Sequence, residues 1–263
     1  MTLHQKNQLQ PREATEVHSR LVKCPLAIEE SRAYWERVVS IDHPPDAQVA
    51  FEEFWFGAKS LPWVKSLILN LQTRYDAFPE ALQVLGNWHS MMPETRAIIC
   101  HWHVQVTDPL YRKFAGDFLI ARRDAARPSL HRDTVVAWVA ENGRPNWTLP
   151  TRKQLAKRLL SVALTAGLIS GRRDPRSLVY PRVGDEALTY VLHLLRSFKF
   201  SGTLLDNAYL RSVGLEGPAL ESRLRNLTSL KFQRNADVFE FNWKYSCLTT
   251  WAKTELPHVG LAS

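Results

Sequence analysis

The chain has 263 residues, 45% hydrophobic and 23% charged, which is the composition of a globular protein with one large domain or a few small ones. Its 34 Lys and Arg residues exceed its 26 Asp and Glu residues, and the net charge of +8 favours an anionic partner. With three scattered cysteines, no apolar run of roughly 18 residues and no apolar signal core, we expect a cytoplasmic protein without a membrane span.

The N-terminal half of the chain is predicted to be helical. Residues 1–24 are polar and are expected to form a flexible arm. Residues 25–127 carry apolar residues at helical spacing, and Pro62 and Pro79 interrupt the pattern, so we predict a bundle of five or six helices. The tryptophans of this bundle are predicted to lie in its core or to cover it: Trp35, Trp55, Trp63, Trp88 and Trp102.

Residues 128–183 are predicted to contain a different order of elements: a helix, a turn, a second helix and a short hairpin. The first helix is predicted in HRDTVVAWVAENG, which ends at Gly143, and the second in LPTRKQLAKRLLSVALTAGLI, with Pro150 in its first turn. The turn GRRDPRS then separates two short β-like runs. This order is typical of a winged helix-turn-helix, in which the second helix enters the major groove of DNA.

Residues 184–263 repeat that order. The stretch SRLRNLTSLKFQRNADVFEFNW changes from helical spacing to a β-strand within a few residues, so a hairpin follows a helix here as well. We therefore predict a mainly α fold, in which a helical N-terminal bundle precedes two winged-helix-turn-helix-like units with short β-hairpins.

Basic residues are concentrated in the first of these units. Residues 151–182 contain eight basic residues and one acidic residue, a surplus of seven positive charges. Such a cluster binds phosphates without reading sequence, and Gln154 is the residue suited to an adenine edge. The candidate phosphate contacts are Arg152, Lys153, Lys157, Arg158, Arg172, Arg173 and Arg176.

The second unit offers a weaker candidate surface, formed by Arg223, Arg225, Lys231 and Arg234, because Glu216 and Glu221 reduce its charge. Alternation along its last strand places Phe239 and Phe241 on one side. We expect that pair to pack on the apolar face of the preceding helix. Replacing Phe241 by alanine is then predicted to cost about 3–5 kcal/mol of stability.

Catalytic motifs do not stand out in the sequence. His101 and His103 are two residues apart, a spacing that directs side chains to one side of a strand but apart on a helix, and this segment has helical spacing. Metal, nucleotide and hydrolase motifs of the usual spacings are absent. We expect no catalytic residue, no cofactor and no metal, with the histidines structural and a metal hydrolase as a remote alternative.

Three segments resemble the BrxA family of bacteriophage-exclusion (BREX) defence systems: EESR, WHVQVTDPLYRKFAGDFLIARR and LPTRKQLAKRLLSVALTAGLISG. The similarity covers roughly residues 25–183. Its matching positions are Asp108, Pro109, Leu110, Phe114, Thr151, Lys153, Leu155, Leu164, Ala166, Gly167, Leu168 and Ile169. The resemblance implies an all-α, non-enzymatic protein with two helix-turn-helix motifs that binds double-stranded DNA as an accessory to a defence complex.

Two other functions remain open beside double-stranded DNA binding. Winged helices also mediate protein contacts, so the chain could instead be an adaptor that docks a methyltransferase or ATPase of the defence complex. RNA binding is the third possibility. Binding through phosphates predicts a steep loss of affinity with salt, whereas an apolar docking face predicts little change.

Overall fold

The computed structural model describes residues 10–235 and 238–256, and within these ranges the chain is mainly helical with two small antiparallel sheets. The helices are α1 (Ile28–Val38), α2 (Ala47–Glu52), α3 (Leu61–Tyr75), α4 (Pro79–Asn87), α5 (Pro93–Thr107), α6 (Pro109–Lys113), α7 (Leu119–Arg123), α8 (Arg132–Asn142), α9 (Leu149–Thr165), α10 (Asp185–Arg196), α11 (Ala208–Arg211), α12 (Gly217–Asn226) and α13 (Leu248–Glu255). The strands are β1 (Ser129–Leu130), β2 (Ile169–Ser170), β3 (Arg176–Leu178), β4 (Leu230–Asn235) and β5 (Val238–Trp243).

Helix α5 lies at the centre of the N-terminal bundle, and its residues 98–106 are all buried. The predicted helix breaks are confirmed, since Pro62 and Pro79 stand in the first turns of α3 and α4, where a missing backbone N–H is tolerated. A π-helical turn, Phe114–Phe118, joins α6 to α7. The predicted tryptophan core is confirmed, with Trp63 only partly buried and the other four buried.

Residues 10–24 do not form the predicted flexible arm. The Ala14 N–H donates to the Val106 carbonyl at 2.8 Å, and Arg12 forms a β-bridge with Lys199. Leu21 and Cys24 are buried in the core. Polarity alone suggested an arm, but these residues find backbone partners on the body of the protein. The other part of that prediction, residues 1–9, lies outside the described residues.

The first unit, residues 128–183, contains α8, α9 and a three-stranded sheet in the order β1–β3–β2. Ser177 of β3 pairs with Ser129 of β1 on one side and with Ser170 of β2 on the other. The helices and the hairpin match the sequence prediction. Strand β1 was not predicted, because two residues are too few to show a β-strand period.

The second unit, residues 184–256, contains α10, α11, α12 and the hairpin β4–β5, in which Phe232 pairs with Phe241. The sequence analysis missed α13, whose Trp251 ring meets Trp88 of the N-terminal bundle edge to face at 5.9 Å. Buried apolar residues of the bundle and of both units form one continuous core. The boundaries between the three regions therefore remain predictions from sequence.

Among the described residues, no helix combines the length and the apolar character needed to cross a membrane.

Candidate nucleic-acid interface

The turn between α8 and α9 sets the direction of the basic helix. Helix α8 ends at Gly143, where a Cβ would lie 2.6 Å from the ring of Trp147, so a larger residue would displace that ring. Helix α9 begins after Thr148, whose hydroxyl lies 3.0 Å from that of Thr151, with Pro150 in the first turn. These local contacts fix where the outward face of α9 begins.

Helix α9 has the two faces that its spacing predicts. Leu155, Leu159 and Val162 are fully or almost fully buried and hold the helix on the body. On the opposite face, the exposed side chains are Lys153, Gln154, Lys157, Ser161 and Thr165. Arg158 is partly exposed. This face is polar over about three turns, and its basic side chains, Lys153, Lys157 and Arg158, lie within about one and a half turns of each other.

The hairpin between β2 and β3 places Arg172 and Arg173 at an exposed tip. Neither arginine forms an ion pair with any described residue. Arg176 behaves differently, because its guanidinium pairs with Asp174 and donates to the Arg172 carbonyl at 3.1 Å. Arg176, predicted as a phosphate contact, thus also holds the tip of the hairpin in shape.

The side chain of Arg152 also makes a contact within the protein. It is partly buried, donates to the Pro145 carbonyl at 3.3 Å and so braces the turn before α9. Lys153, Lys157 and Arg158, by contrast, form no ion pair within the described part of the chain. Five predicted contacts are therefore unpaired basic groups, namely Lys153, Lys157, Arg158, Arg172 and Arg173, which we call the basic face.

An open cleft of about 390 Å³ lies between α9 and the hairpin. Lys157 and Ser161 line it from the helix, and Arg172 and Arg176 line it from the hairpin. Arg132, in the first turn of α8, completes the lining, and its backbone N–H donates to the Asp174 carboxylate at 2.8 Å. The sequence analysis missed Arg132, although a basic residue at the start of the helix that precedes α9 could have pointed to it. Basic groups around a concave surface raise the local concentration of anions.

The basic residues of the second unit are largely paired. Arg223 donates to Asp185 at 2.6 Å and to the Val183 carbonyl at 2.9 Å. Arg225 and Arg234 both contact Glu221, at 2.9 and 2.6 Å. Lys231 is exposed and forms no ion pair with a described residue. Asp185 and Glu221 thus pair three of the four basic groups of the predicted second patch, which makes it a weaker candidate than the first.

His101 and His103 are buried on α5 and serve the packing between helices. His101 lies 2.7 Å from the Tyr111 hydroxyl and 2.9 Å from Ser212 Oγ. His103 Nδ1 donates to the Arg74 carbonyl at 3.2 Å, so its Nε2 accepts from the Tyr190 hydroxyl at 2.7 Å. Burial lowers the pKa of His101 to about 3 and the pKa of His103 to about 4. Both rings are therefore neutral near pH 7.

The described residues contain no group of three or more His, Cys, Asp or Glu side chains placed to hold a metal ion.

No protein-family model matches the chain, and no curated protein matches it. Among solved structures, the chain is similar to the crystal structure of an uncharacterised protein from Magnetospirillum magneticum. The similarity has a TM-score of 0.58 at 16% sequence identity and covers 76% of this chain and 98% of the other. At this level of identity the likeness concerns the fold alone.

Proposed function

We propose that this chain is a non-enzymatic protein that binds double-stranded DNA through phosphate contacts made by the first unit. The observation that carries the proposal is the basic face: five basic side chains on one helix and its neighbouring hairpin, none of them in an ion pair with a described residue. Unpaired cations on a rigid surface release counterions when they meet phosphates, which is the main source of affinity in non-specific DNA binding.

The arrangement of the first unit supports a winged helix-turn-helix. A strand, two helices and a hairpin follow one another, and the first strand pairs with the last, in the sheet order β1–β3–β2. In this proposal α9 is the recognition helix in the major groove, and the hairpin is the wing that reaches an adjacent backbone. A phosphate of the DNA would then lie in the cleft, between Arg132 and Lys157.

The cellular setting is proposed from the resemblance to BrxA. It makes the chain a cytoplasmic accessory of a BREX anti-phage system, with other defence proteins as further partners. Deleting the coding sequence from a host that carries the system tests this part, since phage plating should rise. DNA binding by the purified protein is a separate question and does not depend on that outcome.

The test of DNA binding is a fluorescence anisotropy titration of short duplexes of unrelated sequence at several salt concentrations. If all five groups of the basic face meet phosphates, the log–log salt slope should be roughly −4 to −5. Reversing Arg172 and Arg173 to glutamate should weaken binding roughly 10- to 100-fold near physiological salt and reduce the slope by roughly two units. The loss should be similar for every duplex.

Reversal of Arg225 and Lys231 to glutamate is the matched control, because it makes the same change of charge in the second unit. We expect it to change affinity much less. Circular dichroism checks that both variants are folded. Equal losses from the two reversals would contradict the assignment to the first unit, and a salt slope near zero would overturn phosphate binding. Double-stranded RNA of the same length should bind more weakly, since its narrow major groove does not admit a helix.

A further inference from the structure

The second unit contains an apolar groove of about 580 Å³ between its hairpin, the start of α12 and the loop before α11. We call it the α12 groove. Leu220, Phe239 and Phe241 line one side, and Leu204 and Leu205 line the other. Its volume falls in the range typical of ligand and peptide sites.

The lining of the α12 groove leaves apolar surface in contact with solvent. Phe239 is 40% exposed, although it belongs to a regular strand. Phe241, Leu204 and Leu205 are only partly buried. Large apolar side chains gathered around one concave surface are typical of a site that another molecule covers.

Three carboxylates line the α12 groove, and two of them are paired with arginines. Its charged lining residues are Asp206, Glu216 and Glu221, and no Lys or Arg is among the described residues that line it. Glu221 is held by two arginines and Asp206 by Arg211, at 3.0 Å. Glu216 is exposed and forms no ion pair with a described residue. Glu216 is therefore the carboxylate of the rim that a cationic group of an occupant can pair with.

We propose that the α12 groove docks an amphipathic basic segment of a partner protein. Apolar side chains of one helical face would fill the space between Leu205 and Phe239, and a Lys or Arg beside them would pair with Glu216. Amphipathic helices bind apolar grooves in this way, with anchors repeating every three or four residues. DNA does not fit the same surface, because the groove is lined mainly by apolar side chains and the unpaired Glu216 repels phosphates.

This proposal stands apart from DNA binding, since it concerns another unit and the opposite charge. The probe is a fluorescein-labelled 14-residue peptide of Leu and Lys in an amphipathic helical pattern, added to the full chain. Two matched peptides accompany it: one with Glu in place of Lys, and one with the same Leu and Lys in scrambled order. Because the net positive charge of the chain repels a basic peptide, its binding reports a local site.

We expect the amphipathic Leu–Lys peptide to bind and both matched peptides to bind at least about tenfold more weakly. Phe239→Ser should weaken binding by about tenfold and Glu216→Lys by about fivefold, as for a central anchor and a rim charge. Leu69→Ser is the control, since Leu69 is 65% exposed on α3, outside the groove, and should change binding less than about twofold.

Several results would overturn the proposal. They are no binding of the Leu–Lys peptide, equal binding of the Leu–Glu peptide, or binding that neither Phe239→Ser nor Glu216→Lys weakens. Sedimentation of the free chain tests a second copy as the occupant, and self-association abolished by Phe239→Ser would replace the proposed partner. Duplex affinity should be unchanged in Phe239→Ser, so failure of this proposal leaves the DNA proposal standing.

Discussion

The two helix–helix–hairpin units share an order of elements but use their charged residues differently. In the first unit, Lys157, Arg172 and Arg173 stand free of carboxylates among the described residues. In the second, Glu221 holds Arg225 and Arg234 within the unit itself. A count of basic residues would treat the two surfaces as similar. The ion pairs distinguish the two surfaces. A basic group that is paired with a carboxylate must give up that ion pair to contact a phosphate, so it contributes less to binding.

The two units also differ in how they join the N-terminal bundle. Tyr190 of α10 and Ser212, just after α11, hydrogen-bond the buried histidines of α5. Trp102 adds a third link, donating to the Tyr209 carbonyl at 3.1 Å. The second unit is thus hydrogen-bonded to buried side chains of α5, whereas the basic face of the first unit is exposed to solvent. This contrast favours a binding role for the first unit and an anchored, docking role for the second.

The largest expected difference between the two units is in their stability at acid pH. His101 and His103 have folded-state pKa values of about 3 and about 4, lowered by burial from 6.5. Above pH 6.5 they are neutral in both states and affect stability little. As the pH falls below 6.5 the unfolded chain takes up protons that the folded chain does not, so stability falls. At pH 5 the loss should be about 2 kcal/mol per histidine.

Urea unfolding at pH 7 and pH 5 measures this loss, with His103→Gln as the test variant. The variant should be less stable at both values, but its loss between them should be about 2 kcal/mol smaller than that of the native chain. His131→Gln is the control, since His131 is exposed. An unchanged difference in His103→Gln would refute the role of the buried ring. Hydrogen exchange at pH 5 should show faster exchange in α10 and α11 than in α9.

Phe241→Ala should have a smaller effect than the sequence predicts. Phe241 packs against Phe232 at a ring distance of 5.3 Å but is only partly buried, and Phe239 is 40% exposed at the mouth of the α12 groove. The expected cost is therefore about 1–2 kcal/mol instead of the 3–5 kcal/mol of a full core truncation. Thermal or urea unfolding measures it. A cost above about 3 kcal/mol would mean that the groove is closed in solution.

The hairpin shows what periodicity can and cannot predict. Alternation correctly placed Phe239 and Phe241 on one side of β5, because the side-chain period of a strand is fixed by backbone geometry. Depth of burial depends on what lies opposite, and the loop holding Leu204 and Leu205 leaves a groove where the sequence analysis placed a packed core. Helix α13 and the segment 10–24 were missed for the same reason, since their partners are distant in sequence.

The candidate site likewise has features that local sequence pattern predicts and features that depend on residues distant in sequence. Helical spacing identified the outward face of α9, and the turn composition identified the exposed tip with Arg172 and Arg173. Pairing did not follow from local pattern: Asp174 and Arg176 are two residues apart, but Arg223 meets Asp185 across 38 residues. Arg132 lines the cleft because α8 begins beside the hairpin, where its backbone N–H donates to Asp174, a contact that only the folded chain reveals.

Arg132→Glu tests whether the cleft takes part in binding. One phosphate contact would be lost, so we expect about a fivefold weaker affinity for random duplexes and a salt slope smaller by about one unit. Arg37→Glu is the control, because Arg37 is exposed on α1 of the bundle. The same titrations as for the double reversal measure both variants. If Arg132→Glu matches Arg37→Glu, the phosphate contacts lie on α9 and the hairpin tip alone.

Gln154→Ala should have the smallest effect. Gln154 is exposed on α9, one turn before Lys157 and Arg158, where a side chain of a recognition helix meets base edges. A bidentate contact to adenine would contribute about 1–3 kcal/mol, and only on duplexes that carry the adenine in register. Binding through phosphates predicts less than about a twofold change on every duplex, because the neutral amide releases no counterion. Competition among a pool of randomised duplexes distinguishes the two: a sequence preference that disappears in Gln154→Ala would make the first unit a reader of bases, while an unchanged pool leaves α9 a carrier of positive charge.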